Sequence, residues 1–309
     1  MNHPMGPAFR RNALLLLVGA LCSGAFACSA SSTPAAAVVT DAAASDLADA
    51  GSPTTCTTPA SKRPDGGTCV LEVTGSVSDL NGIRLPGLVM TFCGPAQCYG
   101  SKADDAGAYA IPVGDYVQTG DYAVHADGRP DHAVDYLRQS TGESTVISVD
   151  MRVPALPPST VALPADGASA SSITVGDVTL QVPAGNTFNL DIADYTLGGP
   201  GRLLRVAAVP LANAPAYASA NKVEAIYALA PSGAKPSAKL GVSVRNTTAI
   251  PAGAAVDVLV LSDDYFSTPP TVGTLLVAAA AHVSADGASI QTDQGEGISE
   301  ITWLAVRRK

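Results

Sequence analysis

Short runs of alternating apolar and polar residues dominate the sequence from Cys69 onward, and clusters of Gly, Pro and Asp separate them. Two runs, "LEVTGSV" and "TVISVDMRV", show this two-residue period most clearly. Every second residue lies on the same face of the predicted strand: Leu71, Val73, Gly75 and Val77 in the first run, and Ile147, Val149, Met151 and Val153 in the second. Successive side chains of a β-strand point to opposite faces, so this period predicts strands with one buried face. Only 15% of the residues are charged, which suits an exported, strand-rich protein. The sequence therefore predicts an all-β fold with two β-sandwich domains.

The N-terminus has the order of an export signal. Arg10 and Arg11 precede the apolar run 13–21, and small residues follow up to "AFAC", which ends at Cys28. This order predicts a cleaved signal peptide over residues 1–27. Its end resembles the lipobox of bacterial lipoproteins, which implies that Cys28 receives a lipid and becomes the new N-terminus. The alternative is a plain secretory signal that is cut after Ala27 and leaves Cys28 free.

Residues 28–67 consist largely of Ala, Ser, Thr, Pro and Asp, with few large apolar side chains. Such a segment cannot bury a core, so we expect a flexible, disordered linker behind the lipidated cysteine. The expected membrane partner is the bilayer that holds the Cys28 lipid. The predicted location is the cell envelope, at the outer membrane or the cell surface.

Four cysteines remain after the anchor, namely Cys56, Cys69, Cys93 and Cys98. An even number in an oxidising compartment indicates two disulfides. We expect Cys93–Cys98 to close the short "CGPAQC" loop and Cys56–Cys69 to hold the end of the linker, although the sequence leaves the other pairings open. A zinc site is the alternative, but zinc cysteines usually occur in tighter pairs.

Residues 68–155 resemble the carboxypeptidase regulatory-like module, a transthyretin-like or collagen-adhesin-B-like β-sandwich. The family motifs occur in order, and the residues that match them are Gly75, Val77, Pro86, Gly87, Asp104, Gly107, Tyr109, Gly120 and Tyr122. The resemblance covers residues 70–153 and implies an accessory, non-catalytic domain.

The stretch "DDAGAYAIPV" could be either a carboxylate site or the corner of a hairpin. As a corner, Asp104 would cap the turn, Gly107 would supply a positive φ, and Tyr109 would pack inward. A calcium loop would need several oxygen ligands in an Asp-x-Asp-x-Asp-Gly spacing, which this stretch lacks. We therefore predict a structural turn.

"PALPP" at residues 154–158 marks a predicted boundary, and a second β-sandwich is expected over residues 160–309. This region is similar to the β-sandwich module shared by ankyrins and netrin receptors. The similarity lies in the order of the stretches "VPAG", "YALAPSG", "KLGVSV", "IPAGAAVDVLVLSDD", "HVSADG" and "GISEITWLAV". That resemblance implies a protein-binding module without an active site. Trp303 is expected in the core.

The sequence lacks a nucleophile elbow, a phosphate loop and a zinc-protease helix. The pattern of His132 and Asp135 with the distant His282 partly resembles the ligands of zinc carboxypeptidases, but that family has Glu where Asp135 stands. We therefore expect no enzyme activity, no cofactor and no metal. The net charge of −9, with no basic cluster between the N-terminus and the closing "RRK", argues against nucleic acid as a partner.

Two functions remain. The first is a non-catalytic lipoprotein of the cell envelope that is structural or binds protein. The alternative is a carbohydrate-binding module, since sugar sites present aromatic side chains beside polar groups. The candidate aromatic residues for that site are Tyr99, Tyr116, Tyr122 and Tyr136.

Overall fold

The computed structural model describes residues 55–142, 146–195, 201–265, 267 and 269–309. These residues belong to one compact unit, Ser52–Lys309. The fold of this part is all-β, as the sequence predicts. The predicted signal peptide, Cys28 and the linker up to residue 54 lie outside the described residues. Within the described part, no helix is long and apolar enough to cross a membrane.

The first part of the unit contains ten strands. They are β1 (Thr68–Cys69), β2 (Glu72–Ser78), β3 (Val89–Cys93), β4 (Cys98–Lys102), β5 (Ala108–Pro112), β6 (Tyr116–Val117), β7 (Asp121–Asp127), β8 (Val134–Ser140), β9 (Val146–Ser148) and β10 (Met151–Arg152). Short 3-10 helices, Ala60–Lys62 and Pro64–Gly66, precede them.

These strands form two four-stranded sheets and one small two-stranded sheet. In the first sheet, β2 pairs with β5 on one side and with β9 and β10 on the other. The second sheet has the order β4-β3-β7-β8, and β1 pairs separately with β6. One buried cluster holds the inward side chains of both larger sheets, for example Val73, Ile111, Phe92 and Val124. These two sheets therefore enclose the first core.

The run "TVISVDMRV" forms two strands rather than one. Both β9 and β10 pair with β2 in parallel, and the ladder is interrupted between them. There, the Asp150 carboxylate accepts hydrogen bonds from the backbone N–H and the hydroxyl of Ser76, at 2.9 and 2.6 Å. The alternation nevertheless holds, since Val149, Met151 and Val153 are all buried.

The second part of the unit contains the remaining strands and two short helices. They are β11 (Ser171–Val175), β12 (Val178–Val182), β13 (Phe188–Asn189), α1 (Ile192–Tyr195), β14 (Arg205–Ala208), α2 (Ala216–Ala220), β15 (Ala225–Ala230), β16 (Lys235–Pro236), β17 (Gly241–Arg245), β18 (Ala255–Leu261), β19 (Leu275–Val283), β20 (Ser289–Thr292) and β21 (Leu304–Arg308). A 3-10 helix, Leu211–Asn213, lies between β14 and α2.

Nine of these strands form one antiparallel sheet with the order β11-β12-β17-β20-β19-β18-β21-β15-β14. The last strand in the sequence, β21, therefore lies inside the sheet, between β18 and β15. Strands β13 and β16 pair with each other outside it. Leu180 of β12 and Val206 of β14 belong to one buried cluster although their strands lie near opposite ends of the order. The sheet must therefore curve around that cluster.

The two faces of this sheet bury different side chains. Tyr227 and Leu229 of β15 point into the main core, whereas Ile226 and Ala228 belong to a third buried cluster. Trp303 lies in that third cluster, as expected, and is 1% exposed. The same cluster includes Ala133 and Leu156 from the first part of the chain. Residues of the first and second parts of the unit thus pack in one cluster. The division of the chain into two domains stays a prediction.

Candidate functional site

The stretch "DDAGAYAIPV" forms a tight turn before β5. Oδ1 of Asp104 accepts hydrogen bonds from the N–H groups of Ala106 and Ala108, at 2.9 and 2.8 Å. Gly107 has a φ of +70°, and a Cβ there would lie 2.8 Å from the carbonyl oxygen of Val77. Tyr109 is buried, and its hydroxyl donates to the carbonyl oxygen of Val149. The interactions of the turn are therefore structural ones.

The four cysteines of the described part form two disulfides, Cys56–Cys69 and Cys93–Cys98. The first joins the segment before the first 3-10 helix to β1. The second closes the hairpin between β3 and β4. Because a disulfide restricts the unfolded chain, both bridges stabilise the fold.

The histidine pattern does not form a metal site. His282 lies on the surface with Nδ1 2.7 Å from Oδ1 of Asp293, and Asp135 is buried and accepts a hydrogen bond from Tyr217. Among the described residues, no group of three or more His, Cys, Asp or Glu side chains is arranged to hold a metal ion.

Of the four tyrosines considered for a sugar site, Tyr122 lies in the core and stacks on Phe92, with ring centroids 4.8 Å apart. Tyr99 packs against the same core. Tyr116 belongs to β6 and pairs with Cys69 of β1. Tyr136 lines a cavity, the cleft described next.

A cleft of about 170 Å³ lies between the β7–β8 region and the loops of the second part. It is lined mainly by polar and charged side chains: Arg129, Val134, Tyr136, Asn189, Leu190, Asp191, Ser232, Gly233, Lys235 and Asp263. These residues come from segments far apart in the sequence, and the fold brings them together.

Arg129 forms one wall of the cleft. Its Nε and Nη2 atoms donate to the two carboxylate oxygens of Asp127, at 2.8 and 2.6 Å. Burial raises the pKa of Asp127, but this bidentate contact with Arg129 lowers it by more. The third nitrogen, Nη1, lies 3.4 Å from Asp191 and 3.9 Å from Asp194, with no hydrogen-bond partner. Asp127 thus holds the Arg129 side chain in place, and the Nη1 atom of Arg129 remains available as a hydrogen-bond donor.

Asp194 of α1 has a fully buried side chain, and neither carboxylate oxygen has a hydrogen-bond partner. Burial raises its pKa to about 6, even though Arg129 favours the charged form. Arg205 is buried as well, and its Nε and Nη2 atoms lack partners. An unpaired buried charge costs free energy, so this arrangement is poorly satisfied by the chain alone.

A second carboxyl pair, Asp263 and Glu300, lies near Lys235 of the cleft. The Lys235 ammonium is 3.7 Å from Oδ1 of Asp263 and 3.9 Å from Oε1 of Glu300. Gly233 has a φ of +79°, and a Cβ there would lie about 4 Å from both carboxyl groups. Burial, and then the negative charge of Asp263, raise the pKa of Glu300 to about 7. Oε1 of Glu300 has no hydrogen-bond partner.

Aromatic rings back the cleft. Tyr136 stacks on His125 with ring centroids 4.5 Å apart and an angle of 13° between the rings. Burial lowers the pKa of His125 to about 4, so this histidine is neutral at neutral pH. The hydroxyl of Tyr265 is buried without a partner.

Asp135 lies in a second buried polar contact, between β8 and α2. The Tyr217 hydroxyl donates to Oδ1 of Asp135 at 2.7 Å, while Oδ2 has no partner. Next to it, Nε1 of Trp303 donates to the carbonyl oxygen of Val134 at 2.7 Å. Burial raises the pKa of Asp135 to about 7. The sequence interpretation weighed this residue as a zinc ligand and rejected it, and the structure places it as a buried acid.

The cleft residues other than Tyr136 were missed by the sequence interpretation. The sequence feature that could have indicated the cleft is the pairing of acidic residues in "DIAD" and "LSDD". Such pairs are conspicuous in a chain with few charged residues. Chemically, the arrangement supplies carboxylates, hydrogen-bond donors and a tyrosine ring, which can bind a polar group.

Comparisons with known proteins identify no family. No protein-family model and no curated protein sequence matches the chain. Among solved structures, a candidate carbohydrate-binding protein from Bacteroides uniformis ATCC 8492 aligns over 78% of this chain and 80% of its own, with 9% identity and a TM-score of 0.22. A DUF3823 family protein from Parabacteroides merdae ATCC 43184 aligns over 77% of this chain and 97% of its own, with 10% identity and a TM-score of 0.22. Likeness at this level supports no inference about the ligand.

Proposed function

We propose that the chain is a non-catalytic lipoprotein of the cell envelope whose β-rich unit binds a protein partner. In this proposal, residues 1–27 are removed, the lipid at Cys28 anchors the chain at the outer membrane or cell surface, and the linker presents the unit. The resemblance of residues 68–155 to carboxypeptidase regulatory-like modules, and of residues 160–309 to the ankyrin and netrin-receptor module, supports an accessory, binding role.

The cleft lined by Arg129 is the observation that carries the binding role. Unpartnered polar atoms occur in and around it: Nη1 of Arg129, both carboxylate oxygens of Asp194, Oε1 of Glu300 and the hydroxyl of Tyr265. Each buried polar group without a partner destabilises the folded state by about 1–3 kcal/mol. A ligand that satisfies several of these groups would recover part of that free energy.

The size of the cleft favours a protein side chain over a sugar chain. Its volume of about 170 Å³ is smaller than the usual small-molecule pocket of about 300–1,000 Å³. One face of the Tyr136 ring is covered by His125, which leaves less aromatic surface for stacking. A single side chain from a partner protein suits such a space.

Carbohydrate binding is the second candidate function. Tyr136 lines the cleft together with Asn189 and Ser232, and amide and hydroxyl groups beside an aromatic ring are typical of sugar sites.

Photo-cross-linking in living cells tests the proposal. A photo-reactive residue in place of Ile192, which is 80% exposed beside Asp191, should yield an adduct that protease treatment removes. The matched control carries the same residue in place of Ile83, which is 63% exposed, and should yield no such adduct. Equal adducts at both positions, or none, would contradict a protein partner at the cleft. An adduct removed by glycosidases but resistant to proteases would establish the carbohydrate alternative.

A further inference from the structure

The groups around the cleft carry more negative than positive charge. The carboxyl groups are Asp127, Asp191, Asp194, Asp263 and Glu300, whereas the cations are Arg129, Lys235 and Arg205. Arg129 and Lys235 each lie close to more than one carboxyl group, and Arg205 interacts with Asp194. The excess charge is therefore not neutralised by the chain itself.

The contacts around the cleft leave carboxyl oxygens of Asp194 and Glu300 without hydrogen-bond partners. Lys235 is more than half exposed, and its distances of 3.7 and 3.9 Å from Asp263 and Glu300 exceed those of hydrogen bonds. Independently, Asp194 has a fully buried side chain whose oxygens lack hydrogen-bond partners, and Oδ1 faces the Arg129 nitrogen in the cleft wall. Unpartnered carboxyl oxygens thus lie near Arg129 and near Lys235, two residues that line the cleft.

The aromatic wall suits a cation as well. A tyrosine face attracts a positive charge within about 6 Å of the ring centroid. His125 is stacked behind Tyr136 and is neutral, so it adds no positive charge that would repel an incoming cation.

We propose that the cleft receives the ammonium or guanidinium group of a lysine or arginine side chain on the partner protein. This inference rests on the proposed protein-binding function and names the chemistry of the contact. A basic group would donate to the unpartnered carboxyl oxygens and lie against Tyr136, and the space of about 170 Å³ limits the ligand to the end of one side chain. The net charge of −9 would also attract a basic partner at long range.

Ligand-observed NMR on the full chain in detergent tests this contact. The probes are lysine and arginine capped as Nα-acetyl methylamides, with capped norleucine as the neutral analogue of lysine. The capped basic residues should bind at millimolar concentration and capped norleucine should not. Asp263→Asn and Glu300→Gln should each weaken lysine binding by about tenfold, the effect of about 1.4 kcal/mol. The matched control Asp105→Asn removes an exposed carboxylate from the turn before β5 and should leave binding unchanged.

Equal binding of capped lysine and norleucine, or unchanged affinity in both cleft variants, would overturn the inference. If cross-linking through Ile192 still captures a protein in that case, the proposed function stands and only the basic contact is wrong. If that cross-link is absent too, both fail. Tighter binding of glucosamine than of capped lysine, lost in the same variants, would replace the protein side chain with an amino sugar.

Discussion

The buried carboxyl group of Asp135 makes a pH-dependent stability prediction. It is 0% exposed and receives one side-chain hydrogen bond, from Tyr217. The neighbouring cavity of about 260 Å³ is lined by Asp150 and Arg152 as well as Asp135. Burial raises the pKa of Asp135 to about 7, against about 3.9 in an unfolded chain. We expect Asp135→Asn, which stays neutral, to remove the resulting pH dependence.

The direction in which stability changes with pH follows from proton binding to Asp135. Between about pH 4 and pH 7 the folded chain keeps a proton on Asp135 that the unfolded chain has released. The stabilising contribution is therefore complete below about pH 4 and is lost as the pH rises to 7. One pKa unit corresponds to about 1.36 kcal/mol, so raising the pH from 5 to 8 should destabilise the wild type by about 3 kcal/mol through this group. The variant should not show this loss.

Urea unfolding of the full chain at pH 5, 6, 7 and 8 measures the effect. Asp194 and Glu300 also have raised pKa values and contribute equally to wild type and variant, so the difference between the two profiles isolates Asp135. The stability of Asp135→Asn relative to wild type should rise by about 3 kcal/mol over this range. Asp105→Asn, at an exposed position, should run parallel to wild type. Parallel profiles for wild type and Asp135→Asn would refute the reasoning.

Other substitutions test the turn, the third cluster and the anchor. Gly107→Val should destabilise by about 1–3 kcal/mol in urea melts, because it forces a branched residue to a positive φ close to the Val77 carbonyl; an unchanged melt would contradict this role. Trp303→Phe should cost about 3 kcal/mol, since it removes the donor to Val134 and leaves a gap in the core; a loss below about 0.5 kcal/mol would argue against that contact. Cys28→Ser should abolish labelling by a palmitate analogue and release the chain from membranes, and retained labelling would exclude Cys28 as the anchor.

Local features could be predicted from the sequence and long-range ones could not. The buried faces of "LEVTGSV" and "KLGVSV" are as the alternation predicts, because strand periodicity depends only on neighbouring residues. The parallel pairing of β2 with β9 and β10 joins segments about 74 residues apart, and no local pattern specifies it. The cleft could not be predicted from the sequence for the same reason. Arg129, Asp191 and Asp263 lie far apart in the chain and come together only in the folded structure.

The position of β21 has a consequence for the order in which the nine-stranded sheet can form. Leu304–Arg308 lies between β18 and β15, so among the described strands these residues alone join β14 and β15 to the rest of the sheet. A nascent chain that lacks them cannot close the nine-stranded sheet, however many of its other strands have been synthesised. Among the described strands β21 is the last in the sequence, so completion of this core depends on residues that follow all of its other strands.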